Sequence, residues 1–163
     1  MFLREIITEI DIEAPPERVW QHLTDFAAYP VWNPFIAGIE GEPRPGSRLL
    51  VKMRQPGGKE MMVRTILKTV EPPKKLVWFG RVLLPGLLDN EHSFIIEDKG
   101  DGISRLIQSE TFSGFFALFL PRVLGEQTTL GFEMLNEVLK ERVEQADARD
   151  KGQIEGPVSG SED

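Results

Sequence analysis

The sequence predicts an α+β protein, in which a curved antiparallel sheet of about seven strands closes over a long C-terminal helix, with short helices after the first strand. Three observations predict it. Segments of strand character follow one another with only Pro- and Gly-rich turns between them, which builds an antiparallel meander rather than parallel crossover units. Two prolines, Pro15 and Pro16, interrupt the chain just after the first such segment and open an apolar-striped helix. From Arg122 to about Ala146 the apolar period changes from two residues to that of a helix.

Taken in order, Ile6 to Ile12 alternates as a half-buried strand does. Proline suits the first turn of a helix, where the missing amide has no partner to lose. Val19, Trp20, Leu23 and Phe26 then recur at three- and four-residue spacing. The block from Tyr29 to Phe35 is too broken by proline for a long helix and reads as a short plug at one end of the sheet. Strands follow at Phe35–Glu40, Arg48–Gln55, Glu60–Val70, Leu76–Leu83, Leu88–Glu97 and Ile103–Phe112. Pro45-Gly46, Pro56-Gly57-Gly58, Pro72-Pro73, Pro85-Gly86 and the run Lys99 to Gly102 separate them.

On the last helix Leu124, Thr128, Gly131, Leu135, Val138 and Leu139 share a face, with Glu137, Lys140, Glu141 and Glu144 largely off it. A long helix with one apolar stripe needs a surface to lie against, and the concave side of a twisted sheet supplies one. Residues 1–146 therefore read as one domain. The stretch 147–163 is polar and glycine-containing, and is expected to be a disordered tail.

The 163 residues suffice for one real core. A net charge of -7 speaks against nucleic-acid binding, which needs clustered Lys and Arg. With no cysteine, disulfides and thiolate chemistry are excluded. There are only two histidines, His22 and His92. No HExxH spacing, no Gly-rich phosphate loop after a strand and no Gly-x-Ser-x-Gly elbow is present, so neither a metal nor a cofactor is expected. The N-terminus carries no basic-then-apolar secretory pattern and no apolar run reaches the ~18 residues that span a bilayer, so cytoplasmic residence is the expectation.

Several segments carry a resemblance. Ala14 to Phe26, Tyr29 to Phe35, Trp78-Phe-Gly80, Glu91-His-Ser-Phe94, Glu110-Thr-Phe-Ser-Gly114 and the long closing helix together resemble the START-like superfamily of SRPBCC, or polyketide cyclase/dehydrase-like, proteins. The resemblance implies a helix-grip fold with a ligand site between sheet and helix. It also implies a small hydrophobic ligand such as a lipid, a polyketide, a sterol or a quinone-like molecule.

Which side chains face that space follows from strand parity. Asn90 and His92 share a face with Phe94, and Gln108 and Glu110 share one with Phe112. If the turn centres on Asp101, His92 stands opposite Glu110, with β-carbons ~5 Å apart. As function, the pair anchors a ligand oxygen or moves a proton; as structure, it is a cross-strand pair. Trp78 and Gly80 share a face, as pocket wall and ligand room or as core tryptophan over a sheet bend. Gly131, beside Leu135, leaves cavity volume or permits a tight helix contact. Trp32 and Asn33 line a pocket entrance or belong to the end plug.

Two apolar loops, 83–88 and 115–121, fall at the same end of the sheet. They read as a lid, a dimer patch, a membrane-touching edge or a second small core. Membrane contact is the weakest of these, since only Arg81 and Arg122 flank the loops. Three functions stay open: binding of a small hydrophobic molecule, a polyketide cyclase or dehydratase using His92 and Glu110, and a protein-interaction module using the loops.

Overall fold

The computed structural model describes residues 3–57, 59–81, 86–119 and 122–154. Strand β1 (Leu3–Ile12) leads to helix α1 (Pro16–Thr24), a 3-10 turn (Phe26–Ala28) and the single turn α2 (Tyr29–Trp32). Six strands follow: β2 (Ile36–Glu40), β3 (Arg48–Arg54), β4 (Glu60–Glu71), β5 (Lys75–Arg81), β6 (Asp89–Gly100) and β7 (Ile103–Ser113). A second 3-10 turn (Phe115–Phe119) and helix α3 (Arg122–Ile154) complete the described chain. The strands form one antiparallel, curled sheet in the order β1-β7-β6-β5-β4-β3-β2, and α3 lies across its concave face, the helix-grip arrangement.

The elements begin and end where local chemistry requires. Pro15 is extended and Pro16 opens α1, which buries Val19 and Leu23. The Tyr29 hydroxyl, fully buried, donates to the Leu23 carbonyl at 2.7 Å and pins the plug to α1. Burial, with Asp25 nearby, holds this phenol well above its ordinary range. The Asn33 side-chain oxygen accepts from the amides of Phe35 and Ile36 at 3.0 and 2.7 Å, an Asx turn that launches β2. This turn is what the Asn33 oxygen serves in the end plug.

Helix α3 buries Thr128, Phe132, Leu135, Asn136, Leu139 and Val143 against the sheet. Phe132 and Asn136 belong to this stripe, whereas Val138 is only half-buried, because the helix is rotated slightly from the face the apolar residues alone suggest. Lys140 donates to the Asp11 carbonyl at 2.7 Å, and Glu144 accepts the Glu13 amide at 2.8 Å, tying α3 to the end of β1.

The helix also runs past Ala146 to Ile154, through residues expected in the polar tail. Asp147 is buried there, 3.6 Å from Arg18 and 2.6 Å from Lys151, and Asp150 meets Arg18 at 2.6 Å. Ion pairs with α1, invisible to apolar periodicity, carry these turns. Residues 155–163 of the expected tail lie outside the described residues, as do Leu83, Leu84, Pro85, Leu120 and Pro121.

What is described of the two apolar loops does cluster. The amides of Phe115 and Phe116 donate to the carbonyls of Gly86 and Leu87 at 3.1 and 2.8 Å. Gly114 has a φ of 104°, and any side chain there would press on the Gly86 and Leu87 carbonyls. Phe115, Phe116 and Phe119 remain exposed beside them. No helix among the described residues is long and apolar enough to cross a membrane.

Candidate functional site

The site is built on the β6–β7 hairpin. Asp101, at φ 53°, and Gly102 form its tip, and Gly100 pairs with Ile103. The register then shifts between Asp98 and Gly100, leaving Lys99 as the extra residue of a bulge, so that Asp98 pairs with Ser104 and His92 with Glu110. On the next strand Trp78 stands opposite His92 and Gly80 opposite Asn90.

Glu110 organises the group. One carboxyl oxygen lies 2.8 Å from His92 Nδ1, and the other accepts from Asn90 Nδ2 at 2.6 Å. The side chains of His92 and Glu110 are 2% and 6% exposed. Burial of this kind is tolerated only when polar atoms are paired, and both carboxyl oxygens are. The imidazole is enclosed by rings: Trp78, Phe94 and Phe132 have centroids 4.9, 4.5 and 4.9 Å from it. With Nδ1 committed to Glu110, Nε2 has no hydrogen-bond partner among the described residues.

His92, Asn90 and Glu110 form the polar end of an internal cavity of about 110 Å³. Its other walls are Ile36, Val51 and Met53 from β2 and β3, Met61, Val63 and Thr65 from β4, Trp78, Phe112, Gln55 and Thr128. Met61, paired with Met53 next to the β3–β4 hairpin, is half exposed, so the cavity reaches the surface at that end of the sheet. Three more polar atoms on this wall lack hydrogen-bond partners among the described residues: Asn90 Oδ1, Thr65 Oγ1 and Gln55 Oε1. Among the described residues no group of three or more His, Cys, Asp or Glu is placed to hold a metal ion.

Of the residues singled out in the sequence, Trp78, His92, Glu110 and Phe112 come together on this wall. Gly80 lies just behind it: a Cβ there would overlap Asn90 Oδ1, so the missing side chain gives room to Asn90 rather than to open cavity. Gly131 likewise leaves no cavity, because the Phe35 ring packs directly on it and then edge-on to Phe132 at 5.7 Å. Phe94 and Leu135 are fully buried core residues off the cavity wall, and Trp32 packs edge-on to Tyr29 at 5.0 Å in the end plug.

Gln108 is fully buried one pair further along β7, opposite Phe94 on β6 and Thr8 on β1. Its amide nitrogen and oxygen have no hydrogen-bond partner among the described residues, while at the neighbouring Thr8 the hydroxyl accepts from Asn136 of α3 at 3.0 Å. Asn90 stands on the wall beside His92, as strand parity sets it, whereas Thr65 and Gln55 are polar wall residues that the sequence did not single out. Alternation on β4 sets Thr65 on the face of Met61 and Val63, which is the signal that points to it.

The family model described as polyketide cyclase / dehydrase and lipid transport matches residues 4–144. Among solved structures, a START superfamily protein from Mycobacterium smegmatis is 21% identical, with a TM-score of 0.70, over 87% of this chain and 98% of its own. Protein MLL2253 from Mesorhizobium loti is 22% identical, with a TM-score of 0.66, over 88% and 99%. A norcoclaurine synthase from Thalictrum is 13% identical, with a TM-score of 0.70, over 90% and 97%. No curated protein matches the chain in sequence. Family match, strand order and gripped helix agree: the chain belongs to the polyketide cyclase / dehydrase and lipid transport family, with the START-like fold.

Proposed function

We propose that the protein binds a small hydrophobic molecule of lipid, polyketide or quinone-like character in the cavity between sheet and helix. The observation that carries this reading is the cavity itself, apolar on most sides with Glu110, His92 and Asn90 converging at one end. Ligand sites have this make-up, with apolar walls for affinity and a few polar groups for orientation. Size narrows the reading. A dry cavity of about 150 Å³ holds one benzene, so about 110 Å³ encloses one ring or one chain end. The rest of a larger ligand passes out beside Met53 and Met61.

Native mass spectrometry of gently purified protein tests this, with extraction of whatever denaturation releases. A reproducible adduct is expected, and Met53→Trp, which fills the mouth, is expected to abolish it. An adduct whose occupancy Met53→Trp leaves unchanged places the ligand elsewhere and sinks the reading.

A second reading is favoured by one contact. His92 Nδ1 is held by a carboxylate and Nε2 has no partner among the described residues, the geometry of an oriented general base. Proton transfer on a polyketide-like ketone follows, with the Thr65 hydroxyl as a free donor for the carbonyl oxygen. Deuterium exchange into the methyl group of acetophenone measures it. An exchange rate equal in the wild type and His92→Gln removes this reading.

A further inference from the structure

The hydrogen bonds at the cavity end restrict the ligand further than apolar walls alone do, provided that a small hydrophobic molecule binds there as proposed. A carboxylate can only accept hydrogen bonds. Glu110 therefore draws the amide nitrogen of Asn90 to one oxygen, which leaves Asn90 Oδ1 as the free atom of that side chain. It also takes the proton on His92 Nδ1, which in a neutral imidazole leaves Nε2 as a lone pair. Both groups are ambivalent in isolation, and Glu110 turns both into acceptors. Gln55 adds a third, since its amide nitrogen faces the Met61 sulfur at 3.8 Å and its oxygen is unpaired.

Of the four polar atoms on the wall that lack partners among the described residues, three are therefore acceptors, and the Thr65 hydroxyl also donates. Leaving such atoms unmatched is costly in a buried site, so the favoured ligand is one that brings donors. Gly80 contributes to this arrangement, because its bare Cα is what allows Asn90 Oδ1 to lie between β5 and the cavity.

We infer that the cavity selects a ring or chain end bearing a hydroxyl, phenols foremost, over its ether, ketone or hydrocarbon counterpart, and that Glu110 sets this preference through the His92 tautomer and the Asn90 amide. The ring-sized volume and the aromatic walls Trp78 and Phe112 suit a phenol.

Three single-ring probes test it: p-cresol, which donates, p-xylene, which replaces the hydroxyl by a methyl of like size, and p-tolualdehyde, which only accepts. Binding is read from methyl shifts of Val51 and Val63. In the wild type p-cresol is expected to bind about ten-fold tighter than either other probe, the effect of one net hydrogen bond. In Glu110→Gln the new amide donates to His92 Nδ1, so Nε2 carries the proton, and p-tolualdehyde is expected to overtake p-cresol. If that variant does not fold, the wild-type order and the His92 ring-nitrogen shifts decide alone. Equal binding of all three probes, or a wild-type His92 protonated at Nε2, overturns the inference and leaves the cavity reading standing. No shift with any probe overturns both.

Discussion

His92 and Glu110 face each other across β6 and β7 because of one residue that touches neither. The tight tip at Asp101–Gly102 alone would set His92 against Thr111 and turn Glu110 to the outer face. The bulge at Lys99 absorbs one position and brings the carboxylate inward, to 2.8 Å from an imidazole that is only 2% exposed. A one-residue slip in a sheet exchanges its faces, so this bulge decides whether the cavity has a polar end.

Removing the carboxylate separates shape from pairing. Glu110→Ala strands the donors of His92 and Asn90 and opens a void, for a loss of about 3–5 kcal/mol. Glu110→Gln keeps the volume and both hydrogen bonds and is expected to lose under about 2 kcal/mol. Urea unfolding of the two variants checks the order. Equal losses would show that the carboxylate's charge, rather than its volume or hydrogen bonds, holds the site.

Two glycines in α3 predict opposite outcomes for one substitution. Alanine gains about 1 kcal/mol over glycine in a helix interior. At Gly152 nothing among the described residues lies within 4 Å, so Gly152→Ala is expected to stabilise by up to about that amount. At Gly131 the new methyl collides with the Phe35 ring, whose neighbour Phe132 blocks retreat. Overpacking of this kind costs about 1–3 kcal/mol, so Gly131→Ala is expected to lower the melting temperature while Gly152→Ala raises it.

Gly80→Ala probes the site without altering any polar atom. Its methyl would displace the Asn90 amide and break the 2.6 Å bond to Glu110. A loss of about 1–3 kcal/mol is expected, together with weakened probe binding in the cavity. Stability lost with probe affinity intact would show that Asn90 has no part in the site.

The pH dependence separates two groups. Burial, reinforced by Arg142 and Arg18 against Asp25, holds the His22 imidazole below its ordinary 6.5. The unfolded chain then binds a proton that the folded chain resists, so stability falls as pH drops below 6.5 and levels once the folded form also protonates. Burial raises the Glu144 carboxyl, but the Glu13 amide and Lys140 outweigh it and hold the group below 4.5. Its contribution is present above 4.5 and lost as pH falls through the lower folded value. Unfolding free energy measured between pH 7 and 5 is expected to slope in the wild type and to flatten in His22→Gln. A slope that survives the substitution assigns it to another group.

The sequence by itself determined the meander, the proline-led α1 and the gripped α3, because each is written in local periodicity and turn chemistry: alternation at Ile6–Ile12, Pro16 at a helix start, Gly102 at a hairpin tip. It also placed Asn90 and His92 on the face of Phe94, and Gln108 and Glu110 on the face of Phe112, since parity within a strand needs no tertiary information; that the two faces coincide rests on the bulge at Lys99. Only the tertiary structure decided what the glycines were for, because Phe35 meets Gly131, and Asn90 covers Gly80, through the packing of other elements. The same holds for Thr65 and Gln55, which join the cavity when β3 and β4 curl over it, and for the turns of α3 beyond Ala146, which α1 holds through Arg18. Periodicity reports which face a residue occupies; which neighbour fills the space in front of it is settled only when the sheet curves and the helix is laid down.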